Sequence, residues 1–373
     1  MIGMLQLARA AVVTVVVALL VAAGPARATD TAAPNDMARF LAGLQPAADS
    51  PLAPFTREGT WQQHARYFDN AWKGLEGRQL SRIRQWSSEN LAVRQPTTFY
   101  MFSGPDFLYA DAFFPGSATY VMSGLEPVGR IPEMKHISRR TLPGVLGHLR
   151  ASTGSVLRIS FFLTNQMRAQ LRYAQLNGTL PILYTFLARS GKTVTGVELV
   201  KIDPDGSVKP SDGEPVKGVP SGVKIAFTSA DGKPQTLYYF STDVSNGGIK
   251  SSGFLKFCEG LGKGDAFVKS ASYLMHNDSF STVREFLLAH SATILQDDTG
   301  IPVRFFKPGD WELRPFGRYL GPIPLFGGRY QRQLSDIFRS QRAKPIPFGV
   351  GYRWRPNESN LLLAVRQQRG AER

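Results

Sequence analysis

A single cysteine, Cys258, stands among 373 residues, so no intramolecular disulfide can form and packing must hold the fold. Long apolar runs are equally scarce. Ala11 to Ala23, broken only by Thr14, falls short of the roughly 20 residues that a bilayer-spanning helix needs. Acidic side chains are in deficit, 29 against 44 lysines and arginines, for a formal net charge of +15. Compact catalytic signatures are missing too. There is no Gly-x-Ser-x-Gly elbow, no Gly-x-x-x-x-Gly-Lys phosphate loop, no His-Glu-x-x-His helix and no Cys-x-x-Cys pair, so none of these compact signatures assigns a reaction class, and a Ser/His/Asp triad assembled from distant segments stays open. No cofactor or metal is identified by any motif.

What is present begins with a leader. Arg9 supplies a positive n-region, the apolar stretch follows, and Ala26-Arg27-Ala28 offers the small-x-small pattern cleaved after by signal peptidase. Residues 1–28 are therefore expected to be a signal peptide, and the mature chain to start near Thr29 in the periplasm or outside the cell. Its short, alanine-rich form points to a bacterial protein. Losing Arg9 and Arg27 leaves the mature chain at +13, with no later segment of transmembrane length. A hydrophobic content of 43% with 20% charged residues is that of an ordinary globular protein.

Punctuation and periodicity predict an α/β to α+β mixed fold, in which strand-helix-strand units flank a central antiparallel β section and helices occupy the N-terminal part. Residues 29–54 read as a tether with a short helix near Asp36 to Leu44. Residues 55–178 read as helical plus the first strand-helix-strand unit, with helical character from Leu142 to Asn177 that is clearest around Phe161 to Leu176. Residues 179–373 read as the antiparallel section, a second such unit and a basic C-terminal region, able to form one domain with 55–178. Thr60 to Asn90 carries a stripe of Trp61, Phe68, Trp72, Leu75, Ile83 and Trp86, expected to be a packing face that Gly74 or Gly77 divides. The first unit runs through Thr98–Phe102, Phe107–Phe114 and Thr119–Met122. The second runs through Phe267–Met275, Thr282–His290 and Thr293–Gln296, with Thr282 and Glu285 spaced as a capping box. Ser117-Ala118-Thr119 and Ser291-Ala292-Thr293 recur in corresponding places, which raises an internal duplication. Ile182–Ala188, Val194–Ile202, Val223–Thr228 and Thr236–Thr242 are expected strands. Strands are also expected at Trp311–Tyr319, Pro347–Trp354 and Leu361–Val365, and a helix at Tyr330–Gln341.

Two residue groups carry candidate chemistry. Right-handed crossovers would bring the residues that follow the parallel strands to one sheet edge. There His276, Asp278, Asp297 and Asp298 form a candidate general acid/base set, metal-assisted if a hard cation joins them; helix capping and turn formation are the structural reading of the same residues. Ser103, Asp106, Ser123 and Glu126 follow the strands of the first unit. The second group is basic: residues 301–373 hold 14 basic and 5 acidic side chains. Arg329, Arg332, Arg339, Arg353 and Arg355 are expected to bind an anionic ligand or envelope surface, arginine being suited to planar anions. Peripheral membrane contact fits that charge, and export disfavours nucleic acid. Asp203, Asp205, Ser207 and Glu214 follow a calcium-loop spacing, but Val208 replaces the turn glycine, so a hairpin connection is expected. The leading expectation is a non-catalytic exported binding protein; a secreted or periplasmic hydrolase using the His/Asp cluster is the alternative.

Overall fold

A computed structural model describes residues 33–91, 95–133, 137–162, 176–213, 216 and 218–367. The expected leader, Glu214 and most of the helix expected near 161–176 lie outside them. The fold is a mixed helix-and-sheet architecture organised on one ten-stranded sheet, in the order β4-β3-β5-β6-β2-β1-β7-β8-β10-β9. Its parallel centre comprises β1 (Thr97–Tyr100), β2 (Thr119–Gly124), β6 (Pro234–Ser241), β7 (Gly264–Val268) and β8 (Ser291–Gln296). Antiparallel strands complete both margins: β3 (Thr193–Ile202), β4 (Val208–Pro210) and β5 (Ser221–Thr228) on one side, β9 (Trp311–Gly317) and β10 (Asn360–Arg366) on the other. The antiparallel section is central in the sequence and marginal in space.

Both strand-helix-strand units are parallel crossovers, and they share this sheet. The first links β1 to β2 through α4 (Phe107–Phe113), and the second links β7 to β8 through a helix at Ser281–His290. Because β1 and β7 are neighbours, the units wind away from each other, and the two crossover helices cover opposite faces. Phe107, Leu108 and Phe113 join the core that contains Tyr100, Tyr120 and Phe267. Val283, Phe286 and Leu287 join the core that contains Phe99, Val121 and Ile294. Alternate residues of one strand thus serve two cores, as the twofold side-chain period of a strand requires.

The larger core is covered by α1 (Pro34–Leu41), α2 (Gly59–Leu75), α3 (Ser81–Asn90), α4, α5 (Leu142–Ile159) and α6 (Leu180–Arg189). Helix α1 falls within the expected tether, yet Met37, Ala38, Phe40 and Leu41 are buried. Between α2 and α3 the chain makes a π turn at Glu76–Leu80, so the division expected at Gly74 or Gly77 is a widened turn rather than a break. The smaller core is covered by α7 (Phe254–Gly260) and α8 (Ser281–His290). Cys258 lies inside it, and burial holds its thiol well above the usual cysteine range, which makes it an inert packing group.

Three local expectations are corrected. Ile182–Ala188 is part of helix α6, not a strand: every residue from Leu180 to Ala188 is buried, and an apolar run buried all round carries no period to read. The strand expected at Phe267–Met275 stops at Val268, where the chain turns into left-handed backbone. Pro347–Trp354 makes only an isolated bridge between Val350 and Arg353. The Thr282/Glu285 capping box is also unformed; the Thr282 N–H is taken instead by Asn246 Oδ1 at 3.0 Å. The Asp203–Ser207 connection is the hairpin between β3 and β4, with Asp205 Oδ1 accepting from the Ser207 N–H at 2.9 Å.

His64 fastens α1 to α2. Its Nε2 meets the Leu41 carbonyl at 2.8 Å, and Nδ1 lies 3.4 Å from Arg150 Nη1. The neutral tautomer donating from Nε2 satisfies both contacts; a proton on Nδ1 would point at a cation. Burial, with Arg150 and Arg189 adding to it, pulls its pKa from 6.5 to about 4. Below pH 6.5 the unfolded chain therefore takes a proton that the folded chain refuses. Stability is expected to fall from about pH 6.5 to about pH 4 by up to about 3 kcal/mol from this residue. Urea unfolding of the parent and His64→Gln across that range checks it: the difference between them should shrink as pH falls, and parallel curves would refute the assignment.

Candidate functional site

In doubly wound sheets, ligands settle outside the carboxyl ends of the strands where the winding reverses. Here that point lies between β1 and β7, and it is filled by protein. Lys269, directly after β7, is 2% exposed and places Nζ 2.7 Å from Asp106 Oδ2. The same ammonium donates to the Ser160 carbonyl and sits 4.0 Å from the centre of the Tyr109 ring. Tyr100, the last residue of β1, donates its hydroxyl to Asp106 Oδ2 at 2.9 Å. Burial pushes the Asp106 carboxyl up, while Lys269 opposes that shift. The crevice left beside Phe102, Ser103 and Ser270 has a volume of only about 60 Å³.

The loop after β7 is bent into an uncommon shape. Ser270, Ser272 and Tyr273 have φ of 53°, 51° and 54°, left-handed values that non-glycine residues hold only where surroundings impose them. Asp297 and Asp298, which follow β8, supply that restraint. Asp297 Oδ2 accepts from the Ser270 N–H at 2.9 Å, and Oδ1 accepts from the Thr299 N–H at 3.0 Å. Asp298 Oδ2 accepts from the Tyr273 hydroxyl at 2.6 Å, and Oδ1 accepts from Asn360 Nδ2 at 3.1 Å. Tyr352 closes the other side by donating to the Ser270 carbonyl at 3.0 Å. Gly351 (φ 72°) is needed there, since a Cβ would lie 2.1 Å from Asp297 Oδ2. Burial raises both carboxyls above the usual aspartate range, and for Asp297 the neighbouring Asp298 adds to it.

Past this loop the edge opens. A short 3₁₀ turn, Leu274–His276, sets His276 against a cleft of about 360 Å³ shared with Arg304, Arg329, Tyr330, Gln331 and Arg332. Arg332 opens α9 (Arg332–Ser340), so the unpaired N–H groups of a helix start add partial positive charge. Burial first, then Arg304 and Arg329, lower the His276 pKa from 6.5 to about 4, and no hydrogen-bond partner meets its Nε2. Among the described residues, no carboxylate lies within ion-pairing distance of Arg304, Arg329 or Arg332. A second cleft, about 550 Å³, shares Tyr330 with the first and is lined by Arg318, Leu320, Phe338, Arg339 and Arg342.

The residues singled out from sequence thus separate. Asp297 and Asp298 converge on the strained loop with their oxygens engaged. Asp278 projects into solvent, 3.9 Å from Arg284 Nη2. His276 stands with Arg329 and Arg332, and Arg339 lines the neighbouring cleft. Arg353 turns inward, its Nε 2.7 Å from the Gly321 carbonyl, and Arg355 lies 3.6 Å from Glu358. Among the described residues, no three His, Cys, Asp or Glu side chains gather as a metal site. Sequence reasoning missed Lys269 and Arg304, and its anion-binding set omitted Arg318 and Arg342. A lysine ending the apolar run Ala266-Phe267-Val268 was a readable signal, but its partner became evident only once β1 and β7 were adjacent. No protein-family model, curated protein or solved structure matches this chain.

Proposed function

We propose that this is an exported bacterial protein that binds an anionic group, of the phosphoryl or sulfuryl kind, in the cleft formed by His276, Arg304, Arg329 and Arg332. The supporting observation is the charge balance of that cleft: among the described residues, three guanidinium groups without a carboxylate partner surround a neutral imidazole and a helix start. Planar guanidinium forks suit tetrahedral oxyanions. The basic composition and the leader-like residues 1–28 support the same reading, with the envelope supplying the anion. Hydrolysis by His276 with Asp278, Asp297 or Asp298 has less support, because two of those carboxylates hold the loop and the third faces water.

Sulfate and pyrophosphate are the probes, read by thermal shift and calorimetry at low salt. Saturable binding is expected, weakening as screening tightens to about 8 Å at physiological ionic strength. Replacing Arg329 and Arg332 together by alanine should weaken it about a hundredfold or more, taking about 1.5 kcal/mol as the low end for each of the two charged hydrogen bonds lost. Burial first, and arginine repulsion in addition, keep His276 neutral; a bound anion offsets the second of these, so sulfate should bind more tightly at pH 5 than at pH 7.5. Unchanged affinity in the double variant would sink the proposal.

A further inference from the structure

Six large apolar side chains are exposed among the described residues, and three of them, Leu320, Leu325 and Tyr330, fall on one loop. The loop is closed at its base. The Tyr319 ring stacks on Tyr330 at 5.7 Å, and the Tyr319 hydroxyl accepts from the Gln331 N–H at 2.9 Å. Arg353 binds the carbonyls of Gly321 and Pro322 at 2.7 and 3.1 Å. Phe326 turns inward onto Tyr273 and Tyr352. Leu325 is left at the tip, 79% exposed, with Pro324 before it and Gly327 and Gly328 after it. A compact loop with joined ends and an outward apolar tip has no use for that leucine in its own packing.

Around the loop the charge is one-sided. From Arg318 to Arg342 there are five arginines and one acid, Asp336. Arg318, Arg339 and Arg342 line the larger cleft beside Leu320 and Tyr330, and no carboxylate lies within ion-pairing distance of them among the described residues.

We infer that this loop docks the protein on an anionic lipid bilayer. Leu325 and Leu320 enter the boundary between head groups and acyl chains, Tyr330 sits at head-group level, and Arg318, Arg339 and Arg342 contact lipid phosphates. A bilayer fits better than a protein partner, because a stable protein interface needs about 800 Å² from each side, whereas a membrane is engaged by a narrow apolar wedge inside a cationic ring. A nucleic acid would leave the aliphatic tip without a role, since single strands are gripped by aromatic stacking. The inference shares the basic face of the proposed anion cleft but uses different arginines, so either can fail alone.

The test is co-sedimentation of the purified protein with phosphatidylglycerol/phosphatidylcholine vesicles and with pure phosphatidylcholine vesicles. Partitioning should be at least tenfold stronger on the anionic vesicles and fall with salt. Leu325→Asp should lower it about tenfold or more, the equivalent of losing one buried leucine, while leaving sulfate affinity at the His276 cleft unchanged. Arg339→Glu with Arg342→Glu should lower it comparably. In the Leu325→Trp variant, the tryptophan emission should shift to the blue on anionic vesicles and not on neutral ones. Equal binding to both vesicle types, parental binding by Leu325→Asp, or an unshifted emission from Leu325→Trp would each overturn the inference. Loss of sulfate binding with vesicle binding intact would overturn the cleft proposal alone.

Discussion

Lys269→Met is expected to lower the unfolding free energy by about 3–5 kcal/mol near neutral pH, as removing one partner of a buried ion pair does. The ammonium has three engagements, to Asp106, to the Ser160 carbonyl and to the Tyr109 ring, and methionine replaces the stem without any of them. Asp106 is then left among apolar neighbours with the Tyr100 hydroxyl and no cation. Its carboxyl, already pushed up by burial and opposed by Lys269, must rise further. A folded-state pKa raised above the unfolded one makes the penalty grow as pH rises and fade as pH falls toward the unfolded value. The loss should therefore be smaller at pH 4.5 than at pH 8. Adding Asp106→Asn removes the orphaned charge and should recover part of the stability, and the double-mutant cycle should show a coupling above about 1 kcal/mol. Urea unfolding at the two pH values decides it; a loss under about 1 kcal/mol, or one indifferent to pH, would mean that the pair is not the clamp described.

Trp86→Ala should cost about 3–5 kcal/mol, the range for emptying a buried tryptophan site. Trp86 is 6% exposed and meets the edges or faces of Phe113, Phe316 and Phe348 at 5.9, 5.0 and 6.0 Å. Those rings come from α4, β9 and the chain before β10, so one side chain ties an N-terminal helix to the C-terminal strands. Nearby, Gln79 makes paired hydrogen bonds with the Gly349 backbone, both at 2.8 Å, and survives the substitution. Trp86→Phe should cost markedly less, since an aromatic edge can still reach its neighbours. Calorimetry of Trp86→Ala should show one transition at lower temperature. Two resolved transitions would show that the helical and C-terminal parts unfold separately, and an unchanged midpoint would show that the ring carries no core.

These expectations divide along what a sequence can encode locally. The α2–α3 stripe was legible because a helix with one wet face must repeat its apolar residues every three or four positions. The two crossover units were legible because glycine, proline and capping residues punctuate strand, helix and strand. Helix α6 was not, since Leu180 to Ala188 is buried on every side and resembles a buried strand. The capping box failed for a different reason: Asn246, distant in the chain, reached the Thr282 N–H first.

The site shows the same division. His276 was picked out by its place after a parallel strand and Arg329 and Arg332 by local charge, as two separate groups, and the three share a cleft. Asp297 and Asp298 were picked out by their place after a parallel strand, with turn formation as their structural reading; Asp297 does hold its own turn through the Thr299 N–H, and both also restrain the loop after β7. Composition and local pattern by themselves determined the mixed α/β character, the lack of disulfides, the parallel units and the basic C-terminal region, because each follows from neighbours in the chain. Tertiary structure alone decided the strand order, the Asp106–Lys269 clamp, the inward turn of Arg353 and the exposed Leu325 tip. Those depend on which distant segments become adjacent, and burial then selects which charges are neutralised internally and which stay at the surface.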